Sequence, residues 1–171
     1  MVTEHLAERW GMGKPKEKFK GLISEGRIAP GGPRVVLLQP LTFMNESGKS
    51  AGPAAGSKHI PLDRVIVIHD EIDLGFGDVR TRLGGGLAGH NGLKSLKAGF
   101  GSPDFWRIRV GVDRPESTDP ERVAGYVLGR FSEKPEQVEE LIFSAAGETE
   151  RLVEKLENES AGADAGQEDP N

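Results

Sequence analysis

Four consecutive β-branched residues, Val65-Ile66-Val67-Ile68, run directly into His69-Asp70-Glu71 and constrain the fold more than any other stretch. A short run of unbroken apolarity marks a strand covered on both faces, and such strands belong to sheets held between helices. Val79-Arg80-Thr81-Arg82-Leu83 and Arg107-Ile108-Arg109-Val110 alternate instead, so each puts two arginines on one face of a strand. Two more strands are expected at 19–23 and 34–38, separated by the Ala29-Pro30-Gly31-Gly32-Pro33 turn. Helical spacing predicts helices over 2–10, 91–99 and 135–156, and a weaker one over 45–57 that Pro53 disturbs. The expected architecture is a single α/β domain over 1–157, with a mixed, mostly parallel sheet and helices on both faces. Residues 158–171 hold no aromatic or large aliphatic side chain and are expected to form a disordered acidic tail.

A chain of 171 residues is long enough to bury a core as one domain. With no cysteine, disulfides, thiolate metal sites and cysteine nucleophiles are excluded. No 18-residue apolar run and no signal-peptide pattern occurs, so a cytoplasmic protein without a membrane partner is expected. The net charge of −5 hides an asymmetry: residues 1–130 carry 19 Lys/Arg and 15 Asp/Glu, whereas 131–171 carry 3 and 12. A basic body implies a phosphate-bearing partner, and the acidic end a solvated segment.

The basic residues surround Leu83-Gly84-Gly85-Gly86-Leu87-Ala88-Gly89-His90-Asn91-Gly92-Leu93, in which five of eleven residues are glycine. Such density lets a large ligand approach the main chain, and a helix opening at its end would aim N–H groups at an anion or a carbonyl. Asp70, ending a buried strand, sits where α/β proteins keep their ligands, and a carboxylate there can orient and stabilise a histidine. Asn45 and Asn91 each stand at a junction with a helix. Either they cap those helices, or their amides crowd one sheet edge and bind amide and ester groups. Ser47-Gly48-Lys49-Ser50 is not a nucleotide loop, because Phe43 stands where its first glycine is needed. His69, Asp70, Glu71 and Asp73 point alternately along a strand, so no metal site is expected from them.

Pro40-Leu41-Thr42-Phe43-Met44-Asn45-Glu46-Ser47-Gly48 and His69-Asp70-Glu71-Ile72-Asp73-Leu74 resemble, in that order, the P-x-T-[FY]-M-N-x-S-G and H-D-[ED]-[LIV]-D-[LF] signatures of the bacterial-type peptidyl-tRNA hydrolase family. Gly84 to Leu93 resembles its GGG-x-x-GHNGL. Phe105 to Val112 and Tyr126 to Phe131 resemble two further segments in family order, so the resemblance covers residues 1 to about 155. It implies a monomeric, cofactor-free enzyme that cleaves the ester joining a peptide to the 3′ ribose of tRNA. On this resemblance Asp70 supports a histidine that acts as general base. Phe43, Asn45 and Asn91 bind the peptidyl and terminal-adenosine region, and Arg80, Arg82, Lys94 and Arg109 lie near the tRNA backbone. Met1 to Arg9 corresponds to a helix that follows, in the family, a first strand and a segment bearing the catalytic histidine. The chain is therefore expected to be N-terminally truncated, to have no histidine beside Asp70, and to show little turnover as written. An inactive tRNA-binding descendant is the alternative.

Overall fold

Residues 1–165 are described by a computed structural model of the chain. Helix α1 (Val2–Arg9) opens it, followed by strands β1 (Lys16–Lys18), β2 (Gly21–Arg27) and β3 (Arg34–Pro40). A 3₁₀ turn (Met44–Glu46) leads into α2 (Gly48–Ser57), and a second (Leu62–Arg64) into β4 (Ile66–Glu71). Then come β5 (Val79–Leu83), α3 (Asn91–Phe100), β6 (Trp106–Gly111), α4 (Pro120–Leu128) and α5 (Pro135–Ala165). The membership of α4 in this series has a local cause that its sequence carries: Asp119 caps it by accepting from Glu121 N, and Pro120 occupies its first turn.

The strands form two three-stranded sheets, β1-β2-β3 and β4-β6-β5. Only β4 and β6 run parallel; the other three pairings are antiparallel. This corrects the expectation of one mostly parallel sheet. In the β1-β2-β3 sheet the reason lies in the connections, since short loops join antiparallel neighbours. Phe19 and Lys20, both left-handed at φ 56° and 53°, make a two-residue turn between β1 and β2, and residues 28–33 link β2 to β3. Among the described residues strand β4 pairs with β6 alone and lies at the sheet edge, and Ile66, Val67 and Ile68 are only half-buried.

Helices do cover both faces of the β4-β6-β5 sheet. On one side Ile108 and Val110 pack against Leu141, Ala145, Leu152 and Leu156 of α5. On the other, Leu93 and Leu96 of α3 pack with Phe105, Val65 and Val67. Helix α1 is fastened to α5 by Leu6 and Trp10 against Ala146, with Trp10 Nε1 donating to Glu150 Oε1 at 2.9 Å. The expected boundary at 157 falls inside α5, which continues to Ala165. Arg64 holds this last part by donating to Leu156 O and Ser160 Oγ, and Ala, Glu and Asn residues there do not break the helix. Residues 166–171, the remainder of the expected tail, lie outside the described residues. Among the described residues no helix is long and apolar enough to cross a membrane.

Candidate active site

Asp70 sits near the carboxyl end of β4, half-buried, and a histidine is beside it. His90 Nε2 lies 3.5 Å from Asp70 Oδ1. This corrects the expectation that no histidine would accompany Asp70. His90 is the N-cap of α3, and its Nδ1 accepts from Leu93 N at 3.2 Å. Accepting at Nδ1 fixes the tautomer, so the proton is on Nε2 and points at the carboxylate. Burial alone would push the Asp70 carboxyl up, but its polar surroundings, the hydrogen bond from His90 foremost, outweigh it and hold it below the ordinary carboxylate value.

In the sequence His90 stands out as the residue that ends the glycine-rich loop, but its pairing with Asp70 is not visible there. Its signal is one of place: a histidine at a helix start, directly before Asn91. A capping role for Asn91 is not what forms, since His90 caps and Asn91 is the first helical residue, exposed. Asn45 lies in the 3₁₀ turn, also exposed, and Phe43 before it is 80% exposed. The turn is joined to α3 by Gly48 N donating to Ser95 Oγ at 2.9 Å, and Ser47 Oγ, which donates to Met44 O at 2.9 Å, comes within 3.4 Å of Gly92 O. The contact is tight enough that a Cβ on Gly48 would lie 1.9 Å from Ser95 O. Asn45, Asn91 and the Asp70–His90 pair are thereby tied to neighbouring backbone.

His69, the next residue back along β4, turns to the opposite face. Its Nδ1–H donates to Asp70 O at 2.7 Å, its Nε2 is buried without a partner, and its ring meets that of His90 edge-on at 5.0 Å. Burial holds His69 below the ordinary imidazole value, so it is neutral at pH 7. On the same face lies a cavity of about 230 Å³ lined by His69, Glu71, Arg82, Gly86, Arg107 and Arg109 among others. The strand register explains the grouping, because Val67, Arg107 and Arg82 are aligned across the sheet, as are His69, Arg109 and Arg80.

The cations differ in what they can still bind. Arg82 and Lys94 are exposed, and Arg80 is exposed with only a 3.7 Å approach to Asp78. Arg109 is half-buried in an ion pair, its Nη2 and Nε donating to Glu71 Oε2 at 3.0 and 3.1 Å. Arg107 is buried and turned to the main chain of the glycine-rich loop. No cluster of three or more His, Asp or Glu suited to a metal ion occurs among the described residues.

An α/β scaffold that sets an acid–histidine pair at a strand end, with exposed cations on the same sheet, is the class this geometry defines, and it is that of a hydrolase. Residues 1–168 match the family model described as peptidyl-tRNA hydrolase, and the chain belongs to that family. The peptidyl-tRNA hydrolase of Acidiphilium cryptum is 46% identical over 136 residues, 80% of this chain and 69% of its own length. That of Gluconobacter oxydans is 41% identical over 160 residues, 94% of this chain and 82% of its own. Among solved structures, peptidyl-tRNA hydrolase from Acinetobacter baumannii superposes with a TM-score of 0.73 at 30% identity, covering 90% of this chain and 81% of that one. The family match spans residues 1–168, and the expected truncation is not shown.

Proposed function

We propose that this chain hydrolyses the ester bond of peptidyl-tRNA, releasing free tRNA and peptide during translation. The observation that carries the reading is the Asp70–His90 pair next to Asn91, in a chain whose relatives are named peptidyl-tRNA hydrolase. Nothing in the site favours the inactive alternative.

In this reading water attacks the ester carbonyl, the bond from carbonyl carbon to the 3′ oxygen breaks, and the proton lost by water ends on that oxygen. His90 carries the proton. To accept it at Nδ1 the ring must release Leu93 N–H, a hydrogen bond of about 1 kcal/mol net, and the imidazolium formed is stabilised by Asp70. His69 is the weaker candidate for this role. Its free Nε2 is sealed from solvent, whereas the His90 side chain keeps 17% of its surface exposed. The amides of Asn45 and Asn91 donate to the ester and ribose oxygens, where charge builds in the tetrahedral state. Phe43, exposed and adjacent, offers a stacking face for a terminal base.

Arg80, Arg82 and Lys94, all exposed, contact tRNA phosphates in this proposal. Arg109 contributes field more than contact, being paired with Glu71. Action as a monomer in the cytoplasm, without metal or cofactor, belongs to the same reading. The test is release of labelled peptide from purified peptidyl-tRNA by the chain in chelator-containing buffer. Turnover in the wild-type chain, reduced ~10²–10⁴-fold in His90 and Asp70 variants, is expected; a wild-type chain that binds tRNA and releases nothing would support the inactive alternative instead.

A further inference from the structure

Arg107 stands on β6, the middle strand of its sheet, and is 2% exposed. The terminal nitrogens of its guanidinium are turned to main-chain oxygens, Nη1 donating to Gly86 O at 2.7 Å and Nη2 to Gly85 O at 3.1 Å and Pro103 O at 3.2 Å, while Nε is buried without a partner. The same group lies 5.0 Å over the Phe105 ring, on the residue whose carbonyl accepts from Gly84 N. Burial disfavours the charge, and Arg82 and Arg109 add repulsion, so this cation occupies an uncomfortable place. A buried charge matched to neutral carbonyls makes sense when those carbonyls must be held still.

The loop it grips needs holding. Gly84, Gly85, Ala88 and Gly89 all take left-handed backbone, at φ 60°, 97°, 45° and 75°. Ala88 is strained there, and glycine at such density loses much freedom on ordering. Immediately after this loop come His90, which meets Asp70, and Asn91, which opens α3. The planar guanidinium spans consecutive carbonyls at Gly85 and Gly86 as well as Pro103, a reach that the point charge of lysine does not reproduce.

We propose that Arg107 is a positioning residue of the hydrolytic site, clamping the glycine-rich loop so that His90 and Asn91 are set before substrate arrives. The inference rests on the hydrolytic reading of the Asp70–His90 site. It assigns Arg107 to the peptidyl end of the substrate through the loop, and not to the tRNA backbone as a direct contact.

Two substrates separate these roles: full peptidyl-tRNA, and a minimal ester of the same peptide on the 3′ oxygen of adenosine, which lacks the tRNA body. Arg107→Lys keeps a cation and most of the stem. Its kcat should fall by about tenfold or more on both substrates, with KM changing little, as a misplaced catalytic group predicts. Arg107→Ala should recover part of its kcat on both substrates when guanidinium ion is added at millimolar concentration. Hydrogen exchange in peptides covering residues 84–92 should quicken in Arg107→Lys while that of β6 does not. A loss confined to full peptidyl-tRNA and seen in KM would overturn the inference in favour of a phosphate contact. So would unchanged kcat on both substrates, or loop exchange that matches wild type. Should wild type turn over neither substrate, the hydrolytic reading fails by itself, and the exchange result alone then decides whether Arg107 holds the loop. If Arg107→Ala does not fold, the Arg107→Lys kinetics and exchange carry the same decision.

Discussion

His90 is gripped at both ring nitrogens, with Nε2 3.5 Å from Asp70 Oδ1 and Nδ1 accepting from Leu93 N at 3.2 Å. One side chain thus joins the end of a strand to the start of a helix. It links the charge that stabilises a proton acceptor to the helix that presents Asn91.

This double role makes a clean substitution available. Asparagine is among the best N-caps, so His90→Asn should preserve the start of α3 and shift stability by well under ~1 kcal/mol. With no imidazole left to take a proton, kcat for peptidyl-tRNA should fall ~10²–10⁴-fold. Asp70→Asn should lose rate in the same range, because an amide cannot stabilise an imidazolium. Melting temperature and single-turnover rate, measured on the same preparations, check both. A His90→Asn protein as active as wild type would eliminate His90 as the base.

The buried neutral His69 makes stability depend on pH in a defined direction. Its folded pKa is lowered, so the unfolded chain binds the proton more readily. The stability it contributes is complete above ~6.5, the ordinary imidazole value, and is lost as pH falls from there through the depressed folded value. Asp70, also lowered in the fold, loses its contribution only on falling below ~3.9, outside the pH range of the test below. Denaturant midpoints between pH 7 and 5 should therefore decline in wild type and decline less in His69→Gln. Parallel curves would show that His69 does not titrate differently in the fold.

Much of this was legible in the residues, and the gaps have physical reasons. Asp70, Asn45 and Asn91 could be singled out because each ends a strand or opens a helix, and junctions are where α/β proteins keep chemistry. The hairpin of β2 and β3 and the helix at α3 follow from alternation and helical spacing. Strand direction did not, because Val65 to Ile68 reads the same at an edge as in a parallel interior. The partner of Asp70 was hidden for a different reason: His90 is 20 residues away, and only the fold of the glycine-rich loop brings it back. Arg107 and Arg109 look alike in an alternating strand. Yet one points into loop carbonyls and the other into Glu71, a distinction made by neighbours that periodicity does not reveal.

The seam between α2 and α3 predicts a distance-sensitive loss of function. A Cβ on Gly48 would sit 1.9 Å from Ser95 O and one on Gly52 2.5 Å from Gly99 O, both of them backbone atoms that cannot swing aside. Gly48→Ala should cost ~1–3 kcal/mol as the helices part. It should also raise KM, since Asn45 rides on the turn before α2 and Asn91 on α3. Gly56→Ala, in the same helix with nothing within 4 Å of its Cβ, should instead be neutral or stabilising by up to ~1 kcal/mol. Equal effects at the two positions, by thermal melts and initial rates, would refute the seam as the cause.

Affinity for tRNA should depend on the cations that are free to give their charge away. Arg80, Arg82 and Lys94 are exposed, and each phosphate contact releases counterions, so log Kd should rise with log salt and each removed contact should flatten the slope by about 0.7–0.9. Arg82→Gln and Lys94→Gln should show this, similarly for any tRNA body, because phosphates carry no sequence information. Arg109→Gln is the informative contrast. It strands Glu71, 8% exposed, without its ion-pair partner, so its main cost should be stability, of the order of 3–5 kcal/mol at most for a broken buried pair. Its salt slope should stay near that of wild type. Filter binding across a salt series, with melting temperatures beside it, distinguishes the two behaviours. A wild-type slope in Arg82→Gln and a flattened one in Arg109→Gln would reverse the assignment, making the half-buried arginine the phosphate ligand.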